Sequence, residues 1–296
     1  QLRVLQESLP PFDLDIALAE IEADLGQPAS DIFDDISEPV AAASIAQVHA
    51  ARLKPNGKKV AIKVLRPGIE KAFRKDIDAF YFAASMIEGL SPRSRRLRPK
   101  EVVEHFDSIV QGELDLRLEA SAASEFEANT ADDPLLNIPH VHWDVSGRKV
   151  MTLDWVDGIP LADVDALRAS GADMPELATR ILSMFLRHAL RDGFFHGDMH
   201  QGNLKLNANG ELVAFDFGIM GRIDEYTRRA YAEILMGFIR KDYRRVAEVH
   251  FEAGYVPADQ DVDAFAQALR AVGEPIFGHS AEDISMARLL SHLFDV

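Results

Sequence analysis

Gly193-Phe194-Phe195-His196-Gly197-Asp198-Met199-His200-Gln201-Gly202-Asn203, two short apolar stretches at residues 204–206 and 212–215, and then Asp216-Phe217-Gly218 form the part of the sequence that decides the fold. A long amphipathic segment, residues 174–192 with Leu177, Ile181, Phe185 and Leu190, predicts the helix that enters it. The polar loop then offers a carboxylate, Asp198, and an amide, Asn203. A loop of this length lets Asp198 face a hydroxyl or water while the Asn203 amide oxygen reaches a metal beside phosphates. Asp216, at the end of a predicted strand, suits Mg²⁺ bridging phosphates, and Gly218 lets the chain turn away.

Upstream, Val60-Ala61-Ile62-Lys63 predicts a strand carrying a lysine. A Lys at the middle of a buried strand is costly unless a carboxylate pairs with it, and its compact charge suits α- and β-phosphates. Taken alone, the same four residues fit a Lys snorkelling from an edge strand. Lys63, then Asp198 with Asn203, then Asp216, in that order and in those contexts, is much harder to obtain by chance. The partner is sought in Glu113-Leu114-Asp115-Leu116-Arg117-Leu118-Glu119, within a helix predicted from about Lys100 towards Asn129. On one continuous helix Asp115 and Glu119 share a face and Glu113 lies well round from Glu119. We assign the pair to Glu119. His196, Asp198 and His200 alternate as transition-metal ligands do, but Asp198 is better used as a base and no further ligand accompanies them.

Of 296 residues, 32 are Lys or Arg and 48 Asp or Glu, a formal charge of −16, and 47% are hydrophobic. The balance is that of a globular protein and argues against nucleic acid as a partner. Cys is absent, which removes disulfides, thiol catalysis and Cys-ligated zinc. No apolar run reaches membrane-spanning length. The chain opens on Gln1 and stops on Phe294-Asp295-Val296, and reads as a piece of a longer protein.

Outward from the central motifs, Asp13 and Gly26 bracket a predicted helix. Residues 41–51 and 60–65 form an antiparallel hairpin around Pro55-Asn56-Gly57-Lys58. A helix over residues 69–90, with Phe73, Ile77, Phe80 and Ala84 on one face, ends at a basic break containing Arg93, Arg95, Arg96 and Arg98. Residues 138–143 and 149–155 read as strands, Val156-Asp157-Gly158 as a linker, and residues 226–239, 243–253 and 261–271 as helices. The expected class is α+β and bilobal: residues 1–155 a small β-containing lobe with inserted helices, residues 156–296 a mainly helical lobe.

These residues together resemble the UbiB family of atypical protein-kinase-like proteins, which support ubiquinone biosynthesis and related isoprenoid-lipid metabolism. The resemblance rests on Ala41-Ala42-Ala43-Ser44-Ile45-Ala46-Gln47-Val48-His49, similar to the family's alanine-rich loop, on Glu113-x-Asp115 followed by Glu119, and on Gly193 through Gly221. It implies a protein-kinase-like fold, ATP or ADP with Mg²⁺, and Lys63 on the phosphates with Glu119 as partner. It also implies Asp198 as catalytic base and Asn203 and Asp216 as metal ligands. Ala41, Ala42, Ala43 and Ser44 then lie over the nucleotide, with Ala61 beside Lys63, and Asp154 to Val156 border the adenine.

In the family, Glu113 and Asp115 are associated with a regulatory N-terminal KxGQ element. That element is not in this chain, which begins just after it at Leu2-Arg3-Val4-Leu5-Gln6. His200-Gln201-Gly202-Asn203 replaces the usual His-Pro-Gly-Asn, and the C-terminal hydrophobic segments of many bacterial members are absent. Implied partners are a lipid or quinone precursor, quinone-biosynthesis enzymes and, through segments absent here, a membrane surface. For a bacterial protein that is the cytoplasmic face of the inner membrane, with this piece soluble. After Gly218 the chain resumes a helical pattern near Tyr226 with no Ala-Pro-Glu, so a long peptide-docking segment is missing. The residues therefore fit an ATPase. A small-molecule phosphotransferase of the aminoglycoside or choline kinase type, whose catalytic loop is similar, and a nucleotide-gated scaffold without turnover are the alternatives.

Overall fold

A computed structural model describes residues 10–90 and 94–275. Arg93, Leu2-Arg3-Val4-Leu5-Gln6 and Phe294-Asp295-Val296 lie outside the described residues. The chain divides into two compact units, Gln1–Met174 with His196–Met220, and Pro175–Phe195 with Gly221–Val296.

In the first unit α1 (Leu14–Leu25) ends where Gly26, at φ 72°, takes the left-handed conformation a side chain resists. Asp13 occupies the N-cap position, yet its side chain bonds no helix N–H. After the single turn α2 (Ala29–Ile32) come β1 (Phe33–Asp34), β2 (Pro39–Ala42), β3 (Ala46–Leu53) and β4 (Lys59–Leu65). They join β6 (Val150–Asp154) in an antiparallel sheet of order β1-β3-β4-β6, with β2 on β3. Strand alternation decides what each face carries. Val60, Ile62 and Val64 are fully buried, in a core with Ile21, Phe33 and Val150, so Ala61 and Lys63 must face the other way. Register sets Ala61 between Ala50 and Leu153, and Lys63 between Val48 and Met151.

Gln47 and His49, both fully buried, form a closed polar network. Gln47 Nε2 donates to Phe12 O at 3.2 Å and lies 2.9 Å from His49 Nε2, while Gln47 Oε1 accepts the Phe12 N–H at 3.0 Å. His49 Nδ1 sits 2.8 Å from Ser37 O. Neutral His49, donating from Nδ1 and accepting at Nε2, satisfies every one of these contacts. Burial holds its pKa down, against the opposing pull of the Ser37 carbonyl and Glu38. The signature resembling the family's loop thus doubles as an internal tie between β3 and the start of the chain.

An inserted hairpin, α3 (Ile69–Leu90) and α4 (Pro99–Glu113), packs around Ile77, Val110 and Leu114. Tyr81, not Phe80, takes the inward place expected in that stripe; Phe80 is exposed and meets Phe106 edge-on at 5.9 Å. The single helix expected from Lys100 to Asn129 is two, because the chain breaks at Leu114-Asp115 before α5 (Leu116–Asn129). Asp115 is extended at φ −126°, its carboxylate accepts the Arg117 N–H as an N-cap, and Leu116 N–H leaves for Arg148 O at 2.8 Å.

The strand expected at residues 138–143 is also absent. β5 (Leu136–Asn137) ends before Pro139, which has no N–H to give a ladder. Only Val141 bridges to Leu153, and Trp143–Val145 is a 3-10 turn. A second sheet of order β5-β10-β9-β7 combines β5 with β7 (Ile159–Pro160), β9 (Leu204–Leu206) and β10 (Leu212–Ala214), and α6 (Val164–Ala169) follows β7.

The expected helix at residues 174–192 is α7 (Met174–Arg187), continued by a π turn at His188–Asp192. The buried positions are Leu177, Met184, His188 and Ala189, while Ile181, Phe185 and Leu190 are half-buried. β8 (Phe194–His196) pairs with β11 (Met220–Arg222). In the second unit α8 (Glu225–Arg240), α9 (Tyr243–Glu252) and α10 (Val262–Gly273) match the expected helices and pack on Tyr243, Val246, Ala247 and Leu269.

Candidate functional site

The residues of the candidate site all belong to the first unit. From the inner face of β4, the Lys63 ammonium reaches both oxygens of Glu119 at 2.7 Å. Glu119 sits among the buried positions of α5, with Leu116, Ala120, Ala123 and Phe126, and is 8% exposed. Burial disfavours the Lys63 charge, but Glu119, Asp216 and Glu113 together outweigh it and hold the ammonium above its ordinary pKa. The break at Leu114-Asp115 is what lets Glu113 contribute. Burial, then the Glu119 charge, pushes the Glu113 carboxyl up, and Lys63 partly offsets them. A side chain at Gly218 would meet Asp216 Oδ1 at 3.5 Å and Glu113 Oε2 at 3.7 Å, so these carboxylates flank one glycine. The acidic surroundings of Lys63 therefore include Glu113, which a continuous helix would have carried away.

Asp115 goes elsewhere. Its carboxylate holds Arg117 at 2.6 Å and caps α5, and the Arg117 hydrogen bonds keep its pKa below the usual carboxylate range. Asp115→Ala should lower the melting temperature by an amount equivalent to about 1 kcal/mol, the usual value of an N-cap. Calorimetry checks it, and an unchanged melting temperature would remove Asp115 from the capping role.

The loop between β8 and β9 is organised by its backbone. His196, 4% exposed, accepts the Asp198 N–H on Nδ1 at 3.2 Å and lies 6.0 Å from the Phe217 ring. Phe217 in turn packs on Phe126 of α5 at 5.7 Å. The Asp198 carbonyl accepts the His200 N–H at 2.9 Å and the Asn203 side-chain amide at 3.2 Å. The Asp198 carboxylate is half-exposed, 3.6 Å from His200 Nε2. Asn203, largely buried, precedes β9, and Asp216 follows β10 just beyond the Leu204–Ala214 register pair. Phe215 N–H meets Asn203 O at 3.4 Å, so Asn203 and Asp216 emerge at the same end of this hairpin.

With the Asn203 amide nitrogen spent on Asp198 O, its oxygen remains to accept. Asp216 spends Oδ1 on the Gly218 N–H at 3.3 Å and keeps Oδ2. An amide and a carboxylate oxygen are hard donors that fit Mg²⁺. No group of three or more His, Cys, Asp or Glu among the described residues makes a metal cage. His196, Asp198 and His200 accordingly do not come together as a transition-metal set.

A cavity of about 250 Å³ adjoins Lys63. Ala41, Ala61, Lys63, Asp154 and Val156, all singled out by the sequence, line it together with Leu153, Lys205 and Phe215. Ala42, Ala43 and Ser44 are not among its lining residues. Ala41 and Ala42 close the strand β2, and the turn beyond is fastened by Arg66, which donates to Ala43 O from Nε at 3.1 Å and Nη2 at 3.0 Å. The Asp154 carboxylate accepts from Lys58 Nζ at 2.8 Å and contacts His142 Nε2 at 2.7 Å. Its backbone therefore borders the cavity while its charge is engaged outside. Lys205 was not foreseen. The available signal was its place between Leu204 and Leu206, since strand alternation turns it away from buried Leu204.

Residues 4–250 match the family profile described as the ABC1 atypical kinase-like domain. The chain is 43% identical to the "Probable protein kinase UbiB" of Marinobacter nauticus over 99% of its own length, and spans 54% of that relative. Among solved structures it superposes on the Rv3197–erythromycin complex from Mycobacterium tuberculosis with a TM-score of 0.75 and 27% identity, covering 90% of this chain and 67% of that one. A kinase-like α+β fold, a strand lysine paired to a helical glutamate and a profile match over most of the sequence agree: the chain belongs to the UbiB family of ABC1 atypical kinase-like proteins.

Proposed function

We propose that this protein binds a magnesium-complexed adenine nucleotide, ATP or ADP, in the cavity beside Lys63 and turns ATP over slowly, in the service of ubiquinone or related isoprenoid-quinone synthesis. One observation carries the reading: the Lys63–Glu119 pair stands at the edge of a cavity walled by Ala61, Leu153 and the 154–156 segment. An ammonium held charged by three carboxylates is a ready counter-ion for α- and β-phosphates. Asn203 and Asp216 would hold Mg²⁺, which would neutralise phosphate charge. Asp198 would take the proton of an attacking water or hydroxyl. Residues 41–44 would cover the nucleotide, and the methyl groups of Ala41, Ala42 and Ala43 hold the backbone further from the phosphates than glycine would. That favours slow hydrolysis over transfer to a protein. We take residues 1–155 and 156–296 as the functional lobes, and Glu113 as the carboxylate through which regulation acts. A quinone precursor, its enzymes and a membrane surface are the partners this reading implies; among the described residues no helix is long and apolar enough to cross a membrane.

ATP with Mg²⁺ should raise the melting temperature, by an amount equivalent to about 2.7 kcal/mol at a hundredfold excess over Kd, and EDTA should remove most of the shift. No shift with either ATP or ADP would refute the reading. A second reading, phosphotransfer to a small molecule, is favoured by the erythromycin complex of the mycobacterial relative. A phosphorylated product from erythromycin, an aminoglycoside or choline would select it. Binding without turnover, with liposomes and quinone-precursor mimics added, would leave a nucleotide-gated scaffold.

A further inference from the structure

The alanine-rich turn has little of its own to hold it in place. Ala43 and Ser44 are exposed, and side chains that small bury too little to anchor a loop. The Ala43 N–H donates to Ala46 O at 2.8 Å, which closes the turn without fixing where it stands. Arg66, the residue after β4, supplies what is missing. Its backbone N–H donates to Ile45 O at 2.8 Å, and its guanidinium donates to Ala43 O from Nε at 3.1 Å and from Nη2 at 3.0 Å. Two carbonyls of the turn thus end on one residue.

That residue is itself braced. Nη1 donates to Pro10 O at 3.0 Å, and the guanidinium lies 5.8 Å from the Phe12 ring. Phe12 is held in turn by the Gln47 amide, which takes both its N–H and its carbonyl. The backbone helps as well, because Pro67 disfavours the helical region for Arg66 and continues the direction of β4 through it. Arg66 therefore stands three positions beyond Lys63 on a strand whose register is set on both sides, by Val48 and Met151 at Lys63. The place of the turn is referred to the strand that carries the phosphate lysine, through a planar fork that serves two separate carbonyls at once.

We propose that Arg66 is a positioning residue that fixes the turn of residues 43–46 relative to Lys63, so that a nucleotide meets a cover already in place. The proposal rests on the nucleotide reading of the cavity, and two measurements separate them. Amide hydrogen exchange is followed on the nucleotide-free protein, and ATP and ADP, each with Mg²⁺, are titrated by calorimetry. Arg66→Met removes the fork and keeps an unbranched stem. Exchange across residues 42–46 should quicken at least about tenfold, the scale of one lost charged hydrogen bond, while α5 is unaffected. Affinity for both nucleotides should fall about tenfold, because a loosened turn must be ordered on binding. Arg66→Lys keeps the charge but gathers its donors on one nitrogen, and should recover less than about half of that loss on a logarithmic scale. Arg66→Gln replaces the Met variant if that does not fold, with the same changes expected. Unchanged exchange in the turn, or affinity within about twofold of the unmodified protein, overturns the role of Arg66 and leaves the nucleotide site standing. Full recovery by Arg66→Lys also overturns it, since a positive charge near phosphates would then suffice. Failure of the unmodified protein to bind either nucleotide overturns both.

Discussion

Lys63→Met is expected to cost about 3 kcal/mol of folding stability, as well as the stabilisation conferred by nucleotide. Removing one partner of a buried ion pair is expensive because the other stays behind. Glu119, 8% exposed and bonded through both oxygens, has no second cation in its described contacts. Lys63 also balances Glu113 and Asp216, so its loss leaves three carboxylates facing one another. The 20% exposure of the Lys63 side chain puts the effect at the low end for buried pairs. Urea unfolding measures it, and the control is the double variant. Glu119→Gln added to Lys63→Met should recover at least about 1 kcal/mol, since the stranded charge is then gone.

The pH dependence has a definite sign. Burial and Glu119 already raise the Glu113 carboxyl, and Lys63 opposes them, so without Lys63 it rises further. The folded variant then binds a proton at a pH where the unfolded chain, with carboxyls near about 4.3, does not. Stability relative to the unmodified protein must therefore improve as pH falls through the raised value towards about 4.3. A deficit that stays constant as pH falls towards about 4.3, or strict additivity of the two substitutions, would show that the pair is not the structural unit described.

Short-range patterning made much of this protein legible in its sequence. Alternation in residues 60–65 requires Lys63 to oppose Val60, Ile62 and Val64, and the structure turns it that way. The choice of Glu119 over Glu113 and Asp115 gave the right partner, although the continuous helix used to argue it does not exist. Glu119 reaches Lys63 because α5 is a new helix begun by the Asp115 cap, and Glu113 shares the site because α4 has already ended. A helical wheel drawn through residues 100–129 cannot see this. The break depends on Arg148, remote in sequence, taking the Leu116 N–H. The misplaced Phe80 has a similar origin. Period alone admits either Phe80 or Tyr81 to the inward stripe, and packing on α4 chose between them. Lys205 was overlooked because a lysine in a short strand reads as solvated, and only the cavity wall gives it another meaning.

Asp198→Asn should reduce ATP turnover by at least about a hundredfold, the low end for a general base, with little change in nucleotide affinity or fold. In the proposed scheme the backbone and the carboxylate of Asp198 do separate things. Its backbone does the structural part: the N–H is held by His196, and the carbonyl accepts from His200 and Asn203. Its carboxylate does none of it. The side chain is 52% exposed, and its described ion-pair contact is His200 Nε2 at 3.6 Å. Asn preserves the backbone and shape while removing the negative charge and with it the ability to take a proton, and because that carboxylate is half-exposed the melting temperature and Kd should stay near those of the unmodified protein. Asn203→Ala is the contrasting case. It removes the donor to Asp198 O along with the amide oxygen that would hold metal in the proposed scheme, so loop order and Mg²⁺-dependent binding should fall together. Single-turnover hydrolysis at saturating Mg²⁺ separates the two. If Asp198→Asn retains turnover within threefold, proton transfer is not what Asp198 supplies, and hydrolysis would have to rest on the positioning and charge provided by Lys63, Asn203 and Asp216 alone.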